Sequence, residues 1–323
     1  MDQPVMIKDG VYWIGALDPG LVVFDIVIPT KHGTTYNSYL VKGEKIAVIE
    51  TVKSYCVDGF ISKIRSLVRP EDIDYIIINH TEPDHSGGLI RLMELAPNAI
   101  PVFSRGARTF VKNILHKEFD YKEVKAGDSI DLGGKVLKFI SAPFLHWPDT
   151  MFTYLETDKI LFPCDAFGSH YCSDKRFNDE LDSKEDAFAA YEFYYDTILR
   201  PFKKYVIDAL ENIKDIDIDI IAPSHGPILR ENIEKYIDAY REWAGKTKKY
   251  PDKKKIVIIY VSSYGSTQKM AESIYRGACQ PDTDVSLLNA AEIDMDSLLD
   301  EIDASDGIIL GTPTLNAKAP KPI

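Results

Sequence analysis

Cysteine is scarce in this chain of 323 residues: there are four, Cys56, Cys164, Cys172 and Cys279, and none lies in a C-x-x-C pair. That spacing excludes a zinc knuckle and a built-in rubredoxin-type iron site. Dispersed single thiols fit a reducing cytosol, so a cytoplasmic location is expected. Positive charge is also short, with 38 Lys and Arg against 50 Asp and Glu and a net charge of −12. Nucleic acids and anionic membranes attract basic faces, so neither is expected as a partner. No apolar run approaches the roughly 18 residues of a membrane span, and the first residues, MDQPVM, lack the basic-then-apolar order of a leader. A G-x-G-x-x-G motif and a P-loop lysine are both missing, which disfavours dinucleotides and nucleoside triphosphates. There is no internal repeat and no low-complexity tract. With 45% hydrophobic and 27% charged residues, the composition is that of a globular protein, long enough for about two domains.

The clearest boundary is the stretch 245–255, GKTKKYPDKKK, which holds six lysines and one proline between two periodic segments. Such a charged punctuator reads as a linker. Residues 1–249 and 250–323 are therefore expected to form separate domains. In the first, strands are expected at 37–41, 46–50, 75–78, 101–103, 136–141, 151–156, 160–163 and 219–222. Helices are expected at 60–68, 88–95 and 185–210, the last broken near Pro201. Strands linked both by hairpins and by helices suggest a layered α/β sandwich. After 250 the order is simpler. Strands at 256–261, 284–288 and 307–310 alternate with helices at 267–277 and 293–302, the opening of a doubly wound parallel sheet. It stops at about three of five strands, and an unfinished parallel sheet is expected to expose apolar strand edges.

The stretch 78–88, INHTEPDHSGG, places His80, Glu82, Asp84 and His85 on a loop after an apolar strand. Imidazole and carboxylate together suit zinc, iron or manganese. His146, Asp165 and His225 each follow a further expected strand. A lone histidine at such a position is usually an ordinary core residue, but several at successive strand ends argue for convergence. Seven donors exceed one tetrahedral ion and suit two metals, with Asp165 as the natural bridging carboxylate. The second domain has a different chemistry. Ser262, Ser263, Tyr264, Gly265, Ser266 and Thr267 lie between its first strand and a helix. Hydroxyls and N–H groups at a helix N-terminus form an anion site.

This order of motifs resembles the metallo-β-lactamase fold, whose usual loop is H-x-H-x-D-H. Here Glu82 replaces the second histidine, and the harder oxygen donor favours iron over zinc. H-x-E-x-D-H followed by a flavodoxin-like segment resembles the flavodiiron proteins (A-type flavoproteins). The segments 33–37, GTTYN, and 145–149, LHWPD, match the same pattern. The resemblance implies an αββα metallo-β-lactamase-like diiron domain followed by an incomplete flavodoxin-like domain. It implies one iron on His80, Glu82 and His146, another on Asp84, His85 and His225, and Asp165 between them. It implies FMN, its phosphate in the hydroxyl loop and its ring against Thr312, Pro313, Thr314, Leu315 and Asn316. The family's third flavin loop would lie beyond the last residue. The implied activity is reduction of dioxygen to water or of nitric oxide to nitrous oxide, protecting an anaerobic cytoplasm. A rubredoxin-like protein or a reduced deazaflavin would supply the electrons, and a head-to-tail homodimer or dimer of dimers would bring Trp147 and Glu82 near the flavin. The alternative is a binuclear zinc hydrolase of the same superfamily. His170 is a candidate hydrogen-bond donor to bound gas, and Tyr194 or Tyr195 could point a hydroxyl at the site. His32 and His116 read as surface residues, and no histidine stands just before residue 30, where many family members carry one.

Overall fold

The structure, a computed structural model, describes residues 3–115, 119–245, 253–315 and 318–319. The chain divides into two compact units, Met1–Gly245 and Lys246–Ile323. Most of the lysine-rich stretch lies outside the described residues, as do His116 and Asn316.

The first unit is built on two sheets. One has seven strands, in the order Val5–Lys8, Val11–Trp13, Tyr39–Lys42, Ile46–Ile49, Tyr75–Ile78, Ile100–Ser104 and Lys122–Val124. The other has five, in the order Ser129–Asp131, Val136–Ser141, Met151–Leu155, Ile160–Phe162 and Ile220–Ile221. The apolar runs bury both faces, because alternate side chains serve different layers. Ala47, Ile49 and Ile77 pack with Phe139, Leu155 and Phe162 between the sheets. Val48, Ile76 and Ile78 point the other way, into a cluster with Phe60, Ile64 and Leu92 of the helices Val57–Leu67 and Leu89–Leu95. Leu161 and Ile221 meet Val206, Leu210 and Tyr240 on the outer side of the second sheet. The result is helix, sheet, sheet, helix.

Differences from the sequence reading concern short elements. Val5–Lys8 and Val11–Trp13 extend the first sheet, and Arg108–Leu115 is an additional helix. The long helical stretch is divided into Lys184–Tyr194, a π-helical turn at Tyr195–Leu199, a 3-10 turn at Arg200–Phe202 and Lys203–Ile213. Ser183 caps it by accepting from Asp186 N–H at 3.1 Å. Pro201, without an N–H, sits where the helix is re-started.

The second unit has three parallel strands in the order Thr283–Asn289, Lys254–Tyr260, Gly307–Gly311. Val257 and Ile259 pack toward Leu298 of the helix Met295–Asp303, while Ile258 and Tyr260 pack toward Ala271 of the helix Ser266–Ala278. Both crossovers thus cover opposite faces of one sheet, and the strand order is that of flavodoxin-like folds. Ile308 and Leu310 are exposed along the Gly307–Gly311 edge.

Candidate metal centre and flavin loop

The buried strand Tyr75–Ile78 delivers the chain to the loop that carries the first donors. Pro83 opens a single helical turn, Pro83–Ser86, where its fixed φ suits a first helical position. Ser86 Oγ donates to the Thr81 carbonyl at 2.8 Å and closes the loop on itself. Four side chains are thereby turned to one side, and the structure brings His146, Asp165 and His225 to the same place. Glu82 Oε2 lies 3.0 Å from His80 Nε2 and 3.0 Å from His146 Nε2. Asp165 Oδ2 lies 3.7 Å from each of those nitrogens. On the other side of Asp165, its Oδ1 lies 3.3 Å from His85 Nε2 and 3.3 Å from His225 Nε2. Asp84 is 3.4 Å from His85 Nε2 and 3.1 Å from His225 Nε2. Two donor groups therefore share one carboxylate.

The spacing and the orientation both suit ions. Donors about 2.1 Å from one metal, at right or tetrahedral angles, stand about 3.0–3.4 Å apart. Asp84 Oδ1 and Oδ2, His85 Nε2 and Asp165 Oδ2 are all buried, yet none is in a correctly directed hydrogen bond. Buried polar atoms left this way are costly. Here they face one another across a common point, which is what lone pairs aimed at a cation require.

The other loop lies in the second unit. Gly265, at φ +79°, turns the chain into the helix Ser266–Ala278. A left-handed residue here is easy for glycine alone. Ser262 Oγ is buried without a hydrogen-bond partner, and Tyr264 is 96% exposed. Val261 N–H donates to Gly311 O at 3.0 Å, tying this loop to the segment that begins at Thr312. A Cβ on Gly311 would stand 3.3 Å from Thr267 Cγ2 and 3.3 Å from Tyr260 Cβ, so the two loops approach closely only because glycine is there. An orphaned hydroxyl, a helix N-terminus and a cradle that a larger side chain would fill fit a phosphorylated flavin.

Comparison with known proteins agrees. Residues 34–226 match the model of the ODP family beta lactamase, and residues 258–321 match that of flavodoxin. The chain is 43% identical to the flavo-diiron protein FprA2 of Clostridium acetobutylicum, over 99% of this chain and 81% of that protein. The chain belongs to the flavodiiron protein family. It is 38% identical to a nitric oxide reductase of Moorella thermoacetica, over 98% of this chain and 79% of that one. Among solved structures it resembles the rubredoxin oxygen:oxidoreductase of Desulfovibrio gigas, with a TM-score of 0.76 and 29% identity over 99% of this chain and 80% of the other. The family carries FMN and a diiron centre.

In this flavodiiron protein the imidazoles are held from behind. His80 Nδ1 lies 3.1 Å from Asp149 Oδ1, while Asp149 Oδ2 accepts from Thr81 N–H and Thr81 Oγ1, both at 2.7 Å. His225 Nδ1 donates to the Thr35 carbonyl at 2.6 Å, and Gly226 N–H donates to Thr35 Oγ1 at 2.8 Å. Asn37 adds two bonds, from Nδ2 to the carbonyls of Pro223 at 2.8 Å and Gly226 at 2.9 Å. The GTTYN segment is thus the mount of the last histidine. His85 Nδ1 faces Glu50 Oε2 at 3.8 Å and Cys164 Sγ at 3.7 Å. Tyr194 donates to Asp165 Oδ1 at 3.0 Å, whereas Tyr195 packs on Tyr240 and Trp243. The Trp147 ring centre is 5.0 Å from that of His80. His170 is buried, hydrogen-bonded through Nδ1 to Thr34 Oγ1 at 2.9 Å, and packed on Phe24 and His225. His32 is half-buried against Tyr171 rather than free on the surface.

Without metal, protons take the cations' place. Burial pulls His85 and His225 toward neutrality, but the carboxylates of Asp84 and Asp165 outweigh it and raise them to about 9 and about 10. Burial opposes ionisation of Asp165 too, and His85 and His225 hold it well below the usual carboxylate range. Burial raises Glu50 to about 7 despite the neighbouring His85. Asp25, at the tip of the hairpin Val23–Phe24 and Ile28–Pro29, stands near Glu82. Partial burial, then Glu82 and Asp84, raises it to about 6. Asp149, Glu50 and Asp25 are the site residues that the motif reading passed over.

Proposed function

We propose that this chain reduces dioxygen to water or nitric oxide to nitrous oxide, with residues 1–249 as the diiron domain and 250–323 as the flavin domain. The observation that carries the reading is the pair of donor groups sharing Asp165, with Glu82 in place of a histidine. His80, Glu82 and His146 would hold one iron, Asp84, His85 and His225 the other, and Asp165 would bridge. Ser262 to Thr267 would receive the FMN phosphate, and Thr312 to Leu315, with Asn316, would wall its ring. When bound, the two irons and the flavin supply the electrons: two for two molecules of nitric oxide, four for dioxygen.

The protein's own residues position and insulate. Asp149 and the Thr35 carbonyl engage Nδ1 of His80 and His225, so that Nε2 of each would be the nitrogen offered to a metal. Tyr194 supports the shared carboxylate by donating to it. Trp147 covers the rear of His80. His146 and Glu82 keep side-chain exposures of 20% and 14%, which leaves an approach for an electron carrier. We further propose a head-to-tail homodimer, a rubredoxin-like or deazaflavin donor, and a cytoplasmic location. Supporting these are the relatives named rubredoxin oxygen:oxidoreductase and flavorubredoxin, and four cysteines that form no disulfide. Among the described residues no helix is long and apolar enough to cross a membrane.

Metal and flavin content, followed by anaerobic gas-consumption assays, tests this. Two irons and one FMN per chain, with consumption of either gas, are expected. Two zincs, no flavin and hydrolytic activity would overturn it in favour of the zinc hydrolase.

A further inference from the structure

The two donor groups are not equally accessible. Side chains of Asp84, His85 and His225 are 4%, 2% and 1% exposed, so this side of the centre meets no bulk solvent. Beyond it lies a cavity of about 430 Å³, between residues 22–32 and the outer face of the helix Lys184–Tyr194. Val22, Pro29, Ala189, Ala190 and Phe193 line it, and Lys31 and Asp186, 3.9 Å apart, stand among its walls. His170 also lines it and is 4% exposed, so it forms the inner end. Its Nε2 has no hydrogen-bond partner. The His170 ring centre is 4.4 Å from that of Phe24 and 5.6 Å from that of His225. A single layer of two rings therefore separates the cavity from the sealed donor group.

We propose that this cavity is the entry pocket through which a small apolar diatomic gas reaches the Asp84–His85–His225 side of the centre, with Phe24 and His170 as its inner wall. This rests on the gas-reducing reading above. Apolar pockets in proteins take up weakly hydrated guests such as xenon, and a diatomic gas belongs to the same solvation class. Ions would have to shed their water at the packed rings, so the wall also selects. Ala189 and Ala190 keep the cavity open because they are small. A bulky residue at the exposed Ala189 fills it without touching the donors.

The experiment uses the iron-loaded protein. Crystals held under xenon pressure should show xenon between Ala190, Phe193 and His170, and Ala189→Trp should remove it. In stopped flow, Ala189→Trp should slow the bimolecular reaction of the reduced protein with nitric oxide or dioxygen by roughly threefold or more, with iron content and visible spectrum unchanged. Ala190→Leu is the smaller substitution if the tryptophan variant does not fold. No xenon in the cavity of a protein that consumes gas, or an unchanged rate when the cavity is filled, overturns the route and leaves the functional reading standing. A wild-type protein that takes up xenon there but reacts with neither gas overturns the functional reading, and this use of the cavity with it.

Discussion

Asp149→Asn isolates the support behind one metal from the ligands themselves. The wild-type side chain is fully buried and accepts on both oxygens, from His80 Nδ1 at 3.1 Å and from Thr81 at 2.7 Å twice. An asparagine keeps the shape but turns one acceptor into an NH₂ donor. Whichever way the amide faces, a donor meets a donor, either the His80 ring or the Thr81 pair. A buried group left unsatisfied costs about 1–3 kcal/mol of stability. Loss of a partner behind a ligating histidine costs about 10–100-fold in metal affinity, which is about 1.4–2.7 kcal/mol. The loss should fall on the ion proposed for His80, Glu82 and His146 alone, because His85 and His225 lean on other partners. Anaerobic titration of the metal-free protein with ferrous ion against a chromophoric chelator reads two affinities. One should weaken by that factor and the other stay put. Two affinities within twofold of wild type would refute the role given to Asp149, and equal weakening of both would refute its confinement to one side.

Gly226→Ala should lower the melting temperature and weaken the other ion, since Gly226 has φ +78° and a Cβ there would lie 2.2 Å from Ser169 Oγ and 2.7 Å from the Ser169 carbonyl; unchanged melting and iron content would contradict it. Tyr194→Phe keeps the ring but deletes the 3.0 Å bond to Asp165, and calorimetry should show a loss of about 1.5–3 kcal/mol, the usual worth of a hydrogen bond to a charged group. In the metal-free protein His85 and His225 titrate at about 9 and about 10, against about 6.5 when unfolded. Their folded values are raised, so the stability they contribute is complete below about pH 6.5 and is lost as pH rises through those values. The melting temperature of the metal-free protein should therefore fall from neutral to alkaline pH, while the metal-loaded protein changes less because ions have replaced the protons; a rise in the metal-free series would sink the assignment. Gly311→Val should weaken FMN binding in a fluorescence titration, because Thr267 and Tyr260 leave room for a methyl only by shifting.

Much of this architecture is legible in the residues alone. Tyr75–Ile78 is found where the apolar pattern places it, since a strand buried on both faces writes itself as an unbroken apolar run, and Val136–Ser141 shows the alternation of a strand with one wet face. The donor loop is legible because four ligand-type residues within six positions are rare and follow a strand. Val5–Lys8 is harder to see, being a short strand on the margin of its sheet with no fully buried residue. The mounts of the histidines are hidden for another reason. Asp149 acts across 69 residues and Thr35 across 190, and nothing local distinguishes an aspartate that steadies an imidazole from one in a turn. Tyr194 and Tyr195 are neighbours of the same type, and only helical phase sends one hydroxyl to Asp165 and the other ring to Tyr240 and Trp243.

The unequal burial of the two donor groups has a kinetic side. A chelator reaches an ion by displacing its ligands one at a time, and the rate follows how readily the first can swing away. His146 and Glu82 border solvent, whereas Asp84, His85 and His225 are buried, the last of them against the rings of Phe24 and Tyr36. Demetallation should thus run in two phases. The fast phase empties the pocket of His146, and a half-loaded protein accumulates before the slow phase begins. That intermediate offers a single vacancy beside a retained iron, a direct route to preparing a mixed-metal centre by refilling it with a different ion.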